Sequence, residues 1–131
     1  MTQPFVAKLK KEAKHNGLFR KVLFTGKSSQ LVLMSLAPGE DIGEEVHEVD
    51  QLLFIVEGEG KAVLDGREQE VEDGMVVCVP AGTRHNVVNT DDEKLRLFTV
   101  YAPPQHAPGT VHETKADAKA AEVEVLETQP V

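Results

Sequence analysis

Two short segments hold the residue types that can do chemistry. The first is Gly39-x5-Glu45-x-His47-x3-Gln51-x6-Gly58, and the second is Gly74-x5-Pro80-x-Gly82-x2-His85-x3-Asn89. Glu45 and His47 are two residues apart, so on an extended strand both side chains leave the same face, and Gln51 shares their parity. A carboxylate oxygen, imidazole nitrogens and an amide oxygen make a mixed N/O donor set for a borderline divalent metal. Pro80 fixes φ and Gly82 permits unusual φ, so together they supply the turn that brings His85 in from another strand. Four ligands on two hairpins can thus meet inside one barrel.

The elements that must position them are short strands divided by turn signals. Strands are expected over Arg20 to Thr25, Gln30 to Leu36, Glu45 to His47, Leu52 to Val56, Lys61 to Leu64, Glu68 to Val71, Met75 to Val79, His85 to Val88 and Leu95 to Tyr101. Asp65-Gly66 signals a two-residue hairpin, since a type I′ turn needs positive φ. Many short strands at this spacing mean an all-β antiparallel sandwich or barrel. Before it, Ala7 to Lys14 reads as a solvated basic helix stopped by Asn16-Gly17, with docking on an acidic neighbour subunit as the alternative. After it, Thr114 with Asp117 three residues on starts a short tail helix, followed by an acidic end expected to fray. The expected organisation is an arm over 1–17, the barrel over 18–103, and a strap and tail over 104–131.

Composition limits the function. A length of 131 residues and 14.3 kDa fits one hydrophobic core, and 40% hydrophobic with 27% charged residues is ordinary globular chemistry. The net charge of -8 disfavours nucleic acid and anionic lipid and favours a cationic or neutral ligand. The first twenty-one residues are nonetheless basic, through Lys8, Lys10, Lys11, Lys14, Arg20 and Lys21 against Glu12. A single cysteine, Cys78, excludes an internal disulfide and most structural zinc motifs; it reads as an inert buried thiol in a protein of the reducing cytoplasm. The apolar runs Leu52 to Val56 and Met75 to Val79 are too short to span a bilayer, and the N-terminus lacks the apolar core of a signal peptide. No membrane association and no nucleic-acid partner are expected.

The two spacings resemble, glycine for glycine, the paired signature motifs of the cupin superfamily, over roughly Gln30 to Tyr101. The resemblance is to a small single-domain cupin and implies an antiparallel double-stranded β-helix, the jelly-roll barrel. The usual pattern is His-x-His and a Glu in the first motif, with a further His in the second. Carried over by position, the ligand places fall on Glu45, His47, Gln51 and His85. Glu45 stands where the first His is usual and Gln51 where the Glu is usual, so the formal ligand charge is unchanged. The resemblance implies one divalent transition metal, with Fe, Mn, Ni, Co and Zn all compatible with these donors.

A strap follows the barrel, Tyr101-Ala102-Pro103-Pro104-Gln105-His106-Ala107-Pro108-Gly109-Thr110-Val111-His112, stiffened by three prolines. Folded over the barrel mouth, it makes Tyr101, His106 and His112 the candidate catalytic residues, as proton donors or substrate contacts; otherwise it is a surface tail. Leu52-Leu53-Phe54-Ile55-Val56 does not alternate, which implies burial of both faces. Leu53 and Ile55, in phase with Gln51, face the core, while Leu52, Phe54 and Val56 need another cover, either the N-terminal segment or a second subunit in a symmetric dimer. Two function classes stand: a metalloenzyme performing dioxygenation or metal-assisted isomerisation on a small oxygen-rich molecule, and a non-catalytic module that binds or senses a small ligand.

Overall fold

The computed structural model describes residues 3–128, with side chains over 3–122. Ten strands follow a short helix and precede a second: α1 Leu9–His15, β1 Arg20–Thr25, β2 Gln30–Leu36, β3 Glu45–Val46, β4 Asp50–Glu57, β5 Glu59–Leu64, β6 Arg67–Glu72, β7 Val76–Val79, β8 Arg84–Asn89, β9 Leu95–Ala102, β10 Val111–His112 and α2 Lys115–Thr128. They form two antiparallel sheets, ordered β10-β1-β2-β9-β4-β7 and β3-β8-β5-β6.

Alternation along each strand builds the space between the sheets. In β9, Leu95, Leu97, Thr99 and Tyr101 are buried while Arg96, Phe98 and Val100 are only partly covered. The inward residues Val32, Leu53, Ile55, Val77, Val79, Val87 and Leu97 pack into one core. Burying side chains of this size contributes about 1.5–3 kcal/mol each. Leu53 and Ile55 face inward with Gln51, as the shared parity requires. Asp65 and Gly66, with φ of 50° and 83°, make the positive-φ hairpin between β5 and β6 that the Asp-Gly pair specifies.

The structure differs from the sequence reading in several places. Helix α1 is not a solvated rod: Ala13 is fully buried against Leu33 and Val56, with Leu9, Leu23 and Phe98 around it. Its lysines stay in water, so the basic character belongs to one face only. The chain's own arm thereby supplies part of the cover that Val56 requires, and Phe54 stacks on Phe98 with ring centroids 4.7 Å apart. Leu52 and Val76 remain exposed. Cys78 is exposed, not buried, because Val77 and Val79 take the inward positions of β7 and leave the thiol on the outer face. Strand β10 was not expected; Val111 and His112 pair with Lys21 and Arg20 although prolines precede them.

The tail helix starts where the capping pattern puts it. Asp117 N–H donates to Thr114 Oγ1 at 3.1 Å, and Thr114 N–H donates back to Asp117 Oδ2 at 3.3 Å. Ala118 enters the main core and Lys115 pairs with Asp41, so α2 lies on the barrel. The tail expected as a short helix with a frayed acidic end is instead helical through Thr128, and only residues 129–131 of that end lie outside the described residues. Among the described residues no helix is long and apolar enough to cross a membrane.

Candidate metal centre

The site grows from the meeting of β3 and β8. Glu45 is the register partner of His85, so the two motifs face each other across one ladder. Gly82, at φ +86°, turns the chain after Pro80 and donates its N–H to the His47 carbonyl at 2.8 Å. An L-residue strains at that φ, which explains why glycine stands there. On the other side, Ala81 N–H donates to Asp50 Oδ1 at 2.9 Å, fixing the start of β4 and with it Gln51.

His85 Nδ1 lies 2.9 Å from the Thr83 carbonyl. A carbonyl only accepts, so Nδ1 donates to it and Nε2 is the ring nitrogen left to meet a ligand. The His47 and His85 rings are 5.1 Å apart at 56°. His47 Nε2 contacts Glu45 Oε2 at 3.0 Å. Burial pushes the Glu45 carboxyl up, but the His47 hydrogen bond and the charges of His47, Arg20 and His85 outweigh it and leave the group below its ordinary value. Glu45 is therefore an anion at neutral pH.

Gln51 is buried and held in one orientation. Thr99 Oγ1 donates its proton to the Leu52 carbonyl at 2.9 Å, so it accepts from Gln51 Nε2 at 3.1 Å. That leaves Gln51 Oε1 buried with no hydrogen-bond partner. Its cross-strand neighbour is Tyr101, whose ring meets His47 edge-on at 6.0 Å.

Among the described residues no three His, Cys, Asp or Glu side chains are gathered as a ready cluster for a metal ion. Glu45 and His47 are turned toward each other. The donor types nonetheless fit a divalent cation: an anionic carboxylate on Glu45, the Nε2 of a buried His85, and an orphaned amide oxygen on Gln51.

The strap crosses to the barrel instead of trailing off it. Gln30, buried in β2, donates from Nε2 to the His106 carbonyl at 2.7 Å, and its Oε1 accepts from the Gln105 and His106 N–H groups at 3.1 and 2.9 Å. This clamp sets His106 Nε2 3.4 Å from the Tyr101 hydroxyl. Burial, with Arg20 adding to it, pushes the His106 imidazole down to about 3, so it is neutral at pH 7. Burial raises the Tyr101 phenol far above its ordinary value, with Arg20 and Gln51 lowering it and Glu45 raising it, so it keeps its proton. His112 is placed apart from that pair: its Nδ1 lies 3.2 Å from an Arg20 terminal nitrogen, and burial and Arg20 lower its pKa.

Two residues escaped the sequence reading. Gln30 looked like an ordinary strand residue. Arg20 was counted with the basic arm, yet it is buried, and its charge acts on Glu45, Tyr101, His106 and His112. The available signal was parity: Arg20 shares an inward face with Val22, and a cation in phase with core residues is rare unless something pairs it.

Comparison with known proteins identifies the family and the fold. The family model described as Cupin domain matches residues 32–101. The uncharacterized protein YrkC of Bacillus subtilis is 50% identical over 128 residues, covering 92% of this chain and 68% of that protein. An uncharacterized protein of Acanthamoeba polyphaga mimivirus is 37% identical over 115 residues, 83% of this chain and 71% of its own length. The crystal structure of BH2720 from Bacillus halodurans superposes with a TM-score of 0.88 at 47% identity, covering 90% of this chain and 95% of that one. The chain belongs to the cupin family, and its two antiparallel sheets are a cupin barrel.

Proposed function

We propose that this chain is a metal-dependent cupin acting on a small oxygen-rich molecule, with Glu45, His47 and His85 as ligands and Gln51 either as a fourth ligand or as the holder of a metal-bound water. The observation that carries the reading is Gln51 Oε1. A buried acceptor left without a partner costs about 1–3 kcal/mol, and native interiors retain such groups where something else is meant to bind them. His85, whose Nδ1 is held by Thr83, and the anionic Glu45 lie opposite each other on β8 and β3.

Fe(II), Mn(II), Ni(II), Co(II) and Zn(II) all accept this donor set, and such an ion, when bound, supplies Lewis-acid activation of a coordinated oxygen and, if iron, access to dioxygen chemistry. The chain's own contribution is proton handling and exclusion of water. Tyr101 keeps its phenolic proton and lies within 3.4 Å of the neutral His106 imidazole, a pair that can pass a proton. The Gln30 clamp holds that pair over the barrel interior. Either dioxygenation or metal-assisted proton transfer of the isomerase kind fits these parts.

A non-catalytic ligand-binding role is the second reading, favoured by the closed Glu45–His47 contact, which occupies two of the proposed ligands with each other. Titration of wild type, Gln51→Glu and Gln51→Leu with Mn(II) and Zn(II) tests the site. A ligating Gln51 predicts tighter binding in Gln51→Glu; a water-holding Gln51 predicts affinity within a few-fold in Gln51→Leu but altered turnover. Indifference of affinity and activity to both changes refutes any role for Gln51. Tyr101→Phe separates the classes, because it lowers turnover in an enzyme and leaves a binder's affinity in place.

A further inference from the structure

The outward side chains of β2, β9, β4 and β7 form two rows across the six-stranded sheet. Register places Leu31, Val100, Leu52 and Cys78 in one row and Leu33, Phe98, Phe54 and Val76 in the next. None of the eight is charged. The water-facing side of an antiparallel sheet is normally polar, because its strands alternate apolar-in and polar-out. Helix α1 covers one end of the second row, where Ala13 packs on Leu33 with Phe98 beside it. The rest is open: Leu52 is 36% and Val76 45% exposed, and Cys78 is exposed between them.

What covers this face is indicated by the charges at its border. Phe54, Val56 and Phe98 line a groove of about 440 Å³ together with Lys10 and Lys14 from α1 and Asp73 from the turn before β7. Neither lysine nor Asp73 is in any of the ion pairs among the described residues. A two-fold axis brings the lysine side of one copy to the Asp73 side of another, so the face is complementary to itself. Four strands about 4.8 Å apart and two rows about 7 Å apart give an apolar area of roughly 270 Å². That is about a third of the ~800 Å² each partner buries in a standard interface, and the lysines and the 72–75 turn supply the polar rim that surrounds such a core. Residues 1–2 and 129–131 of this sequence lie outside the description and are too few to span four strands, while α2 packs at β10, the opposite end of the sheet. The net charge of -8 disfavours nucleic acid or an anionic lipid surface as the cover.

We propose that a second copy of this chain covers the face, the two outer sheets packing on each other about a two-fold axis with Leu52, Phe54, Val76, Cys78 and Val100 at the centre and Lys10 and Lys14 of each copy reaching Asp73 of the other. The helix α1 then has two tasks, closing its own sheet through Ala13 and gripping the neighbouring copy through its lysines. The assignment does not depend on whether the barrel binds a metal.

The test is sedimentation of the full chain from low micromolar to several hundred micromolar. Wild type is expected to pass from one chain to two in mass, and Val76→Glu to weaken that association at least roughly tenfold, because the dimer would bury its charge. Val111→Glu is the control: Val111 is 50% exposed on β10 at the far end of the same sheet, and this change should leave the association as it is. Lys10→Glu combined with Lys14→Glu should weaken it several-fold, and a full-strength dimer in that variant overturns the lysine contacts. Cys78 gives a readout in the unaltered chain, which serves if Val76→Glu fails to fold: its rate of reaction with a bulky maleimide should fall with concentration in step with the rise in mass. A single-chain mass at every concentration overturns the proposal, as does a dimer whose Cys78 reacts at a concentration-independent rate. Cosedimentation of a single-chain wild type with phosphatidylglycerol vesicles, lost in Val76→Glu, would overturn it in favour of a lipid surface.

Discussion

The backbone N–H of Gly82 donates to the carbonyl of His47 at 2.8 Å, tying the two motif loops to each other directly. The loop carrying His85 and the loop carrying His47 therefore cannot move apart without breaking that bond. Gly82 has open space around it, and its φ of +86° is the only obstacle to a side chain. Gly82→Ala is expected to cost about 1–2 kcal/mol in a urea denaturation series and to weaken metal binding more than an equally destabilising change elsewhere. An alanine variant with wild-type midpoint and wild-type metal affinity would show that this turn positions nothing.

The strap depends on one side chain. Gln30 meets Thr25, Gln105 and His106 through both ends of its amide, and it is almost completely buried. Gln30→Ala should destabilise the fold by about 2 kcal/mol and make the segment 103–110 the first site cut in limited proteolysis. Cleavage beginning elsewhere, with the strap intact, would contradict the clamp.

Acid sensitivity follows from His106. Its folded value, about 3, lies below the ordinary imidazole value near 6.5, so protons bind the unfolded chain better. The stabilising effect of burying it neutral is full above pH 6.5 and is lost as the pH falls toward 3. His106→Gln cannot titrate, so the wild type's advantage in urea midpoint over this variant should shrink between pH 7 and pH 5. An advantage that stays constant or grows over that interval would place His106 in water.

Much of this was legible in advance, for reasons tied to particular residues. Period-two alternation set most strands, the Asp65-Gly66 pair set its turn, and Thr114 with Asp117 set the start of α2. The two motifs do meet, with Glu45 paired to His85 across β3 and β8, but β3 ends at Val46 and Gln51 stands at the start of β4 in the other sheet after a bend at 48–49, so parity along one strand does not relate Gln51 to Glu45. What escaped were features created only by tertiary contact. Nothing local marks Gln30 as the partner of a segment 76 residues away. Cys78 sits in an apolar run, and only the inward direction of its neighbours shows that it faces out. Arg20 was hidden by the lysines around it, because a charge count ignores which side of a strand each charge is on.

Metal content is the most direct check on the account. Wild type, the His47→Ala variant, the His85→Ala variant and the double variant would be purified, dialysed against excess Mn(II) or Zn(II), freed of loose ions and analysed for bound metal alongside thermal midpoint. The account predicts close to one ion per chain in wild type, near zero in the double variant, and a holo midpoint that drops toward the metal-free value as ligands are lost. One ion per chain retained in the folded double variant, or none bound by wild type at any concentration, would contradict it.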